Sequence, residues 1–306
     1  MKKILLPILL ALLVAPRLFG QGPLSTPRLA GIVNLPGKKQ AILEVQQSRP
    51  GWTRTNSLIL AEFEREGDVF VMAIRPESGT AELRLNGSKE VVSLKGEPNH
   101  GISAPTLALE DVDLNATLTI YAEAIQRTLL RHSQLPTGTI SLRASASSEA
   151  EVAAELERKF AADGIVAIPD GDKFMMVVPK VLASVVSPRS SEIKSSRNPP
   201  RAAQTNKPAS GSEELIPAGT INFWGVDAAQ AADIYARLVS REMDRSERFP
   251  GGPCPSGIFL KTITPLTKEE AIYALETELL WCGVKMVSVG DKMMKAVAAP
   301  VPEPAK

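Results

Sequence analysis

The hydrophobic positions of the chain follow the same order twice, in residues 108–179 and again in residues 222–298. Each copy begins with alternating apolar residues, the period of a β-strand, and continues with apolar residues spaced as one stripe on a helix. The predicted stripe contains Leu114, Leu118, Tyr121, Ala122, Ile125 and Leu129 in the first copy, and Ala228, Ala232, Tyr235, Ala236, Val239 and Met243 in the second.

A second helix is predicted in each copy, and a capping box marks its start. Ser148 stands three residues before Glu151, and Thr267 stands three residues before Glu270. In this pattern the two side chains satisfy the free backbone amides of the first helical turn. Short strands are predicted just before these helices, at residues 139–142 and 258–261.

Glycines and turns close each copy at matching places. Gly164 and Gly283 lie 119 positions apart and suit the left-handed turn that ends a helix. Hairpin turns follow at residues 170–172 and 290–291. The first strands match at a shift of 114 positions, from Val112 to Val226, so the second copy has an insertion of five residues before its second helix.

Each copy therefore predicts a small α+β unit of βαββα type, with two helices on one face of a three- or four-stranded sheet. Two interpretations stay open. The copies are packing or docking modules, or they are a ferredoxin-like or KH-like duplication without a shared role.

An all-β unit is predicted before the repeats, at residues 27–95. Apolar strands fall at residues 29–33, 41–45, 59–63, 69–74, 80–85 and 91–94. Asn86-Gly87 is a strong signal for a two-residue hairpin turn, and no helical stripe is present. The pattern predicts a barrel or sandwich of about six short strands.

The rest of the chain is interpreted as targeting and connecting segments. Residues 1–20 combine Lys2-Lys3 with a short apolar run, the order of a secretory signal peptide, so the body of the chain is expected in the periplasm. An uncleaved inner-membrane anchor is the alternative. Residues 181–217 are rich in Ser, Pro and Lys and predict a disordered linker between α+β units at 106–180 and 218–298. Residues 299–306 predict a loose tail.

The composition and motifs mainly argue against particular functions. The formal net charge is +1 with 23% charged residues, which gives no reason to expect nucleic acid. No catalytic, phosphate-binding or metal-binding motif is found, and the two histidines, His100 and His132, are interpreted as lone surface residues, His132 at a helix end. No enzyme activity, cofactor, metal or small-molecule substrate is predicted.

Two local features stand out in the second copy. Cys254 lies in the inserted loop and Cys282 ends the second helix, so in an oxidising compartment they predict a disulfide, with two buried thiols as the alternative. Trp224 follows the first strand, where a sheet edge invites a partner. An interface role and a core role both stay open for Trp224.

The repeats resemble a known family. The text "VDAAQAADIYARLVSREM", followed by "GIFLKTITPLTKEEAIYALETELLWCGVKMVSVGDKMMKAV", resembles the periplasmic N domains of secretins, the outer-membrane channels of type II secretion and type IV pilus systems. The first copy lacks the "PLT" element. The resemblance covers about half the chain. Because the sequence ends at Lys306, just past the second copy, we do not expect this chain to be a secretin pore itself.

The β unit has a weaker resemblance. The strands "LAGIVNLPGKKQAILEV", "LILAEFEREGDVFVMAI" and "TAELRLNGSKEVVSL" are similar to the homology region of the type II secretion inner-membrane clamp protein. Together the resemblances imply a non-enzymatic periplasmic scaffold that docks on a secretin or other envelope components, with self-association as a further option. The alternatives are a cell-envelope module that binds peptidoglycan or another polymer, and an enzyme with a dispersed site.

Overall fold

The computed structural model describes residues 27–49, 52–94, 106–189, 215–246, 248–250, 254 and 257–300. The predicted signal peptide at residues 1–20, His100, the middle of the predicted linker and the end of the predicted tail lie outside the described residues. The described chain is multidomain and mostly β, with four α-helices.

Seven strands form the N-terminal β unit. They are β1 (Arg28–Leu35), β2 (Lys38–Arg49), β3 (Trp52–Ala61), β4 (Arg65–Glu66), β5 (Val69–Arg75), β6 (Thr80–Leu85) and β7 (Ser88–Ser93). Strands β4 to β7 form a sheet in sequence order, which packs on β1 and β2 through apolar residues such as Leu43, Val71 and Leu83. The Asn86-Gly87 turn is confirmed, since both residues have positive φ between β6 and β7. The strand predicted at 59–63 is wrong at its end, because Phe63 has a φ of 66° beyond β3.

The two copies contain the same elements in the same order. The first has β8 (Thr106–Asp113), α1 (Leu114–Ile125), β9 (Thr128–Arg131), β10 (Thr139–Ser145), α2 (Glu149–Ala162), β11 (Ile165–Asp170) and β12 (Phe174–Pro179). The second has β13 (Asn222–Val226), α3 (Ala228–Leu238), β14 (Glu242–Met243), β15 (Ile258–Lys261), α4 (Lys268–Trp281), β16 (Val284–Val289) and β17 (Met293–Ala298). We call these copies the first and second repeat.

Each repeat has two sheets, which corrects the prediction of one sheet with helices on one face. In the first repeat β8 pairs with β10, and a separate sheet has the order β11-β12-β9. In the second repeat β13 pairs with β15, and the separate sheet has the order β14-β17-β16. In the first repeat the helices lie between the two layers, because Leu118 and Leu156 share one core with Leu107 on one side and Val177 on the other.

The first helix of each repeat is shorter than predicted. Helix α1 ends at Ile125, and Gln126 turns the chain with a left-handed φ of 53°. Leu129 then lies in β9, which pairs in parallel with β12, and Met243 lies in the equivalent strand β14. The predicted helix ends were wrong because an apolar residue at helical spacing, such as Leu129 or Met243, also fits a short buried strand.

The capping box is confirmed for α4 and only partly formed in α2. Thr267 Oγ1 accepts from the Glu270 amide at 3.2 Å, and the Glu270 carboxylate accepts from the Thr267 amide at 2.8 Å. In α2, Ser148 Oγ accepts from the Glu151 amide at 3.2 Å, but the Glu151 carboxylate accepts from the amide of Ser147 instead. The glycine helix ends are confirmed, since Gly164 and Gly283 both have φ of 73°.

The β unit and the first repeat share a sheet. Strand β1 pairs with β2 on one side and with β8 on the other, giving the order β10-β8-β1-β2-β3. Gly31 lies at the centre of this pairing, where a Cβ would stand 2.6 Å from Ile42 Cδ1 and 2.9 Å from the Ala108 carbonyl oxygen. The absence of a side chain at Gly31 therefore lets β1 sit between its neighbours.

The predicted linker at 181–217 packs against the protein at both ends, which corrects its boundaries. Leu182 is fully buried after a 3-10 turn at Lys180–Leu182, and Val186 packs against the core of the second repeat. Ile216 forms an isolated bridge with Leu266. The middle of this segment, residues 190–214, lies outside the described residues.

Candidate interaction surfaces

The second repeat packs on the sheet β11-β12-β9 of the first. Strand β12 is buried on both faces. Met175 and Val177 face the helices of their own repeat, while Phe174, Met176 and Val178 belong to the core of the second repeat. Helix α4 supplies Tyr273 and Trp281 to that same core. We call this contact the internal docking interface.

Polar contacts fix the register of the internal docking interface. Lys173 Nζ lies 2.6 Å from Glu270 Oε2 and also donates to the Pro265 carbonyl at 3.0 Å. The Tyr273 hydroxyl donates to the carboxylate of Asp170, which is fully buried. Burial and this hydrogen bond raise the pKa of Tyr273. One charged pair and one buried hydrogen bond therefore hold the turn between β11 and β12 against α4.

A buried carboxylate lies at the other end of α4. Glu278 is 2% exposed, and its Oε1 accepts from the backbone amide of Arg131 at 2.6 Å. Burial raises the pKa of Glu278 to about 8, against the opposing effect of the Arg131 amide and charge. The sequence analysis singled out no buried carboxylate, so sequence reasoning missed Glu278.

Arg131 ties the same region to helix α1. Its guanidinium donates to the Asn115 carbonyl at 3.2 Å and to Thr119 Oγ1 at 3.1 Å. Burial lowers the pKa of Arg131 to about 10, although the charges of Glu278 and Asp113 oppose that shift. The side chain remains a cation at neutral pH and links α1, β9 and α4.

His132 is buried beside these groups, which corrects its interpretation as a surface residue at a helix end. It is 2% exposed, follows β9, and its ring centroid lies 5.2 Å from that of Trp281. Its Nδ1 accepts from the Gln134 amide, so the neutral ring carries its proton on Nε2. Burial lowers the pKa of His132 to about 4.

A disulfide joins the inserted loop to the end of α4. Cys254 and Cys282 are bonded, with their Cα atoms 5.0 Å apart. Cys282 is buried in the core of the second repeat, and Cys254 is half-buried against it. The bond therefore fixes the loop to the internal docking interface.

Trp224 lies at a contact within the chain. It is in β13, half-buried, and packs against the core of the first repeat and edge-on against Phe259. With Phe259, the disulfide, Thr55 and Ser57 it lines a cleft of about 260 Å³. The role of Trp224 toward a partner protein stays a prediction.

The second repeat presents an exposed sheet face where the first repeat has a covered one. We define the distal face as the outer surface of β14-β17-β16, with Lys292 in the adjoining turn and the strand residues Lys285, Val287, Val289, Met293, Lys295 and Val297. Val289 is 41% exposed and Met293 37% exposed. Their counterparts 119 positions earlier, Asp170 and Phe174, are 0% and 2% exposed under α4.

A carboxylate joins all three parts of the described chain. Glu123, at the end of α1, accepts from Gln40 in the β unit at 3.0 Å and from Lys261 in the second repeat at 3.0 Å. Lys38 Nζ lies 3.5 Å away. Burial raises the pKa of Glu123, but these neighbours outweigh burial and the net shift is downward.

Sequence reasoning missed the internal docking interface, although α4 carries a signal for it. Beside the stripe of Ile272, Leu275 and Leu279, α4 also carries Tyr273, Ala274, Leu280 and Trp281, so the helix is apolar around most of its circumference. Such a helix is buried on more than one side. Helix α2, by contrast, is charged on the corresponding side.

The described residues give no sign of a metal centre or a membrane span. They contain no group of three His, Cys, Asp or Glu side chains placed to hold a metal ion. None of the helices in the described ranges is both long and apolar enough to cross a bilayer.

Comparison with known proteins assigns no family. No protein-family model matches the chain, and no curated protein matches it significantly. The resemblance to secretin N domains therefore stays a prediction.

Proposed function

We propose that the chain is a non-enzymatic periplasmic scaffold or connector of a secretin-type machine, either type II secretion or type IV pilus, that acts by docking its domains. The repeats are then secretin N-like α+β domains, and the β unit is a clamp-homology-like domain. The motif resemblances in 108–179, 222–298 and the β unit support this class. The expected partners are a secretin or another envelope component of the same machine.

The distal face carries this proposal. The same sheet face in the first repeat packs against the second repeat through Phe174, Met176 and Val178. In the second repeat the equivalent face exposes Val289 and Met293 beside the turn between β16 and β17, and Lys295 takes the place of Met176. A duplicated unit whose first copy uses this face for docking is suited to use it again in the second.

Polymer binding is the second candidate function, and the cleft beside Trp224 favours it. Two aromatic rings, Trp224 and Phe259, line it together with polar residues that include Thr55, Ser57 and Asn115. Carbohydrate and peptide polymers are commonly bound by such a mixture of flat apolar rings and hydrogen-bonding groups. In this alternative the chain binds peptidoglycan rather than a secretion component.

A capture experiment separates the two functions. The mature chain from Gln21 is immobilised and exposed to an envelope extract of the source organism. We expect recovery of a secretin or its inner-membrane clamp, loss of that recovery with Met293→Glu, and retention with the matched control Val91→Glu, which is exposed on β7. Retention on purified peptidoglycan with no secretion component recovered would overturn the proposal in favour of polymer binding.

A further inference from the structure

We infer that the distal face binds helix α2 of a second copy of this chain, in the arrangement by which α4 binds the first repeat. This inference rests on the proposed docking role of the distal face and names its occupant. Helix α2 is the counterpart of α4, 119 positions earlier, and its outer side is exposed at Glu151, Ala154 and Arg158. Each copy then offers a face at one end and a helix at the other.

The charged pair of the internal docking interface is conserved between the repeats in both sign and place. Lys173 corresponds to Lys292 and Glu270 corresponds to Glu151, so the contact between Lys173 and Glu270 becomes Lys292 with Glu151 of the next copy. The local settings also match. The Glu270 carboxylate binds a backbone amide at the start of α4 while it pairs with Lys173, and the Glu151 carboxylate binds the Ser147 amide at the start of α2.

The apolar contact is replaced by a compatible one. In the internal docking interface Tyr273 meets Asp170 and Phe174. At the equivalent positions the distal face has Val289 and Met293, and α2 has Ala154. The buried polar pair of Tyr273 and Asp170 is thus replaced by Ala154 and Val289, which leaves no unpaired hydroxyl or carboxylate, while Lys295 replaces the apolar Met176.

The third contact changes chemistry. Leu130 and the backbone of Arg131 lie against α4 near Glu278. At the equivalent places the second repeat has Asp244 and Arg245, and α2 has Lys159. The hydrogen bond to Glu278 is not reproduced, and the Lys292–Glu151 pair carries the inference.

The fold leaves room for this contact. In the internal docking interface, strand β15 lies beside β9, and the Ile263 amide donates to Thr128 Oγ1 at 3.1 Å. The counterpart of β15 in the first repeat is β10, which is the edge of its sheet in the described structure, whereas β8 and the β unit extend away on its other side. The β unit of the incoming copy continues from β8, and its Lys38 lies 3.2 Å from Glu149 at the start of α2.

The contact is head-to-tail, because the face and the helix are different surfaces. A heterologous contact of this kind continues into a ring or an open chain and does not stop at a dimer. We therefore expect the association of the mature chain to grow with protein concentration beyond two copies.

Charge reversal tests the inference, with sedimentation velocity of the mature chain from Gln21 as the readout. Lys292→Glu and Glu151→Lys alone should each weaken association about tenfold or more, since like charges then face each other. The double variant should regain association. Lys39→Glu and Glu77→Lys, both exposed and off these surfaces, should associate as the unmodified chain does.

A mixture of the two single variants gives the sharpest result. Two of the four possible contacts then bring opposite charges together, and both join one variant to the other, so the mixture should regain association beyond two copies, with the two variants alternating. A chain that stays monomeric at every concentration, or association unchanged by both reversals, would overturn the inference. If the inference fails in this way but Met293→Glu still abolishes capture of a secretion component, the proposed function survives. If the chain self-associates as expected but captures no secretion component, only the proposed function is overturned.

Discussion

Two buried residues at the internal docking interface, Glu278 and His132, have shifted pKa values that predict a dependence of stability on pH. The folded state raises the pKa of Glu278 to about 8 from an ordinary 4.5, so between these values the folded chain binds more protons than the unfolded chain. Stability from this group falls as pH rises through that range. His132 acts oppositely, since its folded pKa of about 4 lies below the ordinary 6.5 and stability rises with pH between the two.

These two residues predict a fall in stability above pH 6.5, where only Glu278 still contributes. The free energy of unfolding should drop by about 1 to 2 kcal/mol between pH 6.5 and 8, measured by urea titration at each pH. Glu278→Gln should flatten this slope, because the amide oxygen still accepts from Arg131 but does not titrate. Glu77→Gln is the matched exposed control and should keep the slope. An equal slope in both variants would refute the assignment to Glu278.

At the scale of the element, the two second helices show how one duplicated segment has taken two roles. Helix α4 is capped at both the Thr267 hydroxyl and the Glu270 carboxylate, and Glu270 also pairs with Lys173. Helix α2 has a single side-chain cap at Ser148. The start of α4 is therefore part of the internal docking interface, while the start of α2 is solvent-facing.

Removal of the two caps should reveal this difference. Thr267→Ala removes one side of a reciprocal cap and loosens Glu270, so we expect a loss of about 1 to 2 kcal/mol in the free energy of unfolding. Ser148→Ala is the matched change in α2 and should lose about 0.5 to 1 kcal/mol. Chemical denaturation of both variants measures the losses. A larger loss for Ser148→Ala would contradict the coupling of the α4 cap to the interface.

At the scale of the whole molecule, the described parts have separate cores and are joined by contacts between them. The β unit joins the first repeat through β1 and β8, and the second repeat joins it through α4. Glu123 bridges all three through Gln40 and Lys261.

Glu123→Ala should uncouple these parts. The charged acceptor of two hydrogen bonds is lost, and we expect the free energy of unfolding to fall by about 1 to 3 kcal/mol. We expect calorimetry to give one transition for the unmodified chain and a broadened or split transition for the variant, as the second repeat unfolds before the sheet shared by β1 and β8. Glu90→Ala on β7 is the control. A single transition at an unchanged temperature would show that Glu123 does not couple the parts.

Local signals determined much of the architecture. The duplication, the Asn86-Gly87 hairpin, the glycine helix ends and the α4 capping box follow from residues near each other in sequence, and the structure confirms them. Each depends on backbone geometry that a few adjacent side chains decide, such as a positive φ at glycine. The predicted signal peptide and the secretin resemblance are also sequence features, and they stay predictions.

Long-range packing decided the rest. The sequence did not distinguish a helix end from the short strand β9, because Leu129 suits both, and only pairing with β12 decides between them. Burial of Glu278 and His132, the joint sheet of β1 with β8 and the covering of Phe174 by α4 depend on partners far along the chain. A side chain's environment is set by whatever packs on it, so the covered face of the first repeat and the exposed face of the second emerged only from the tertiary structure.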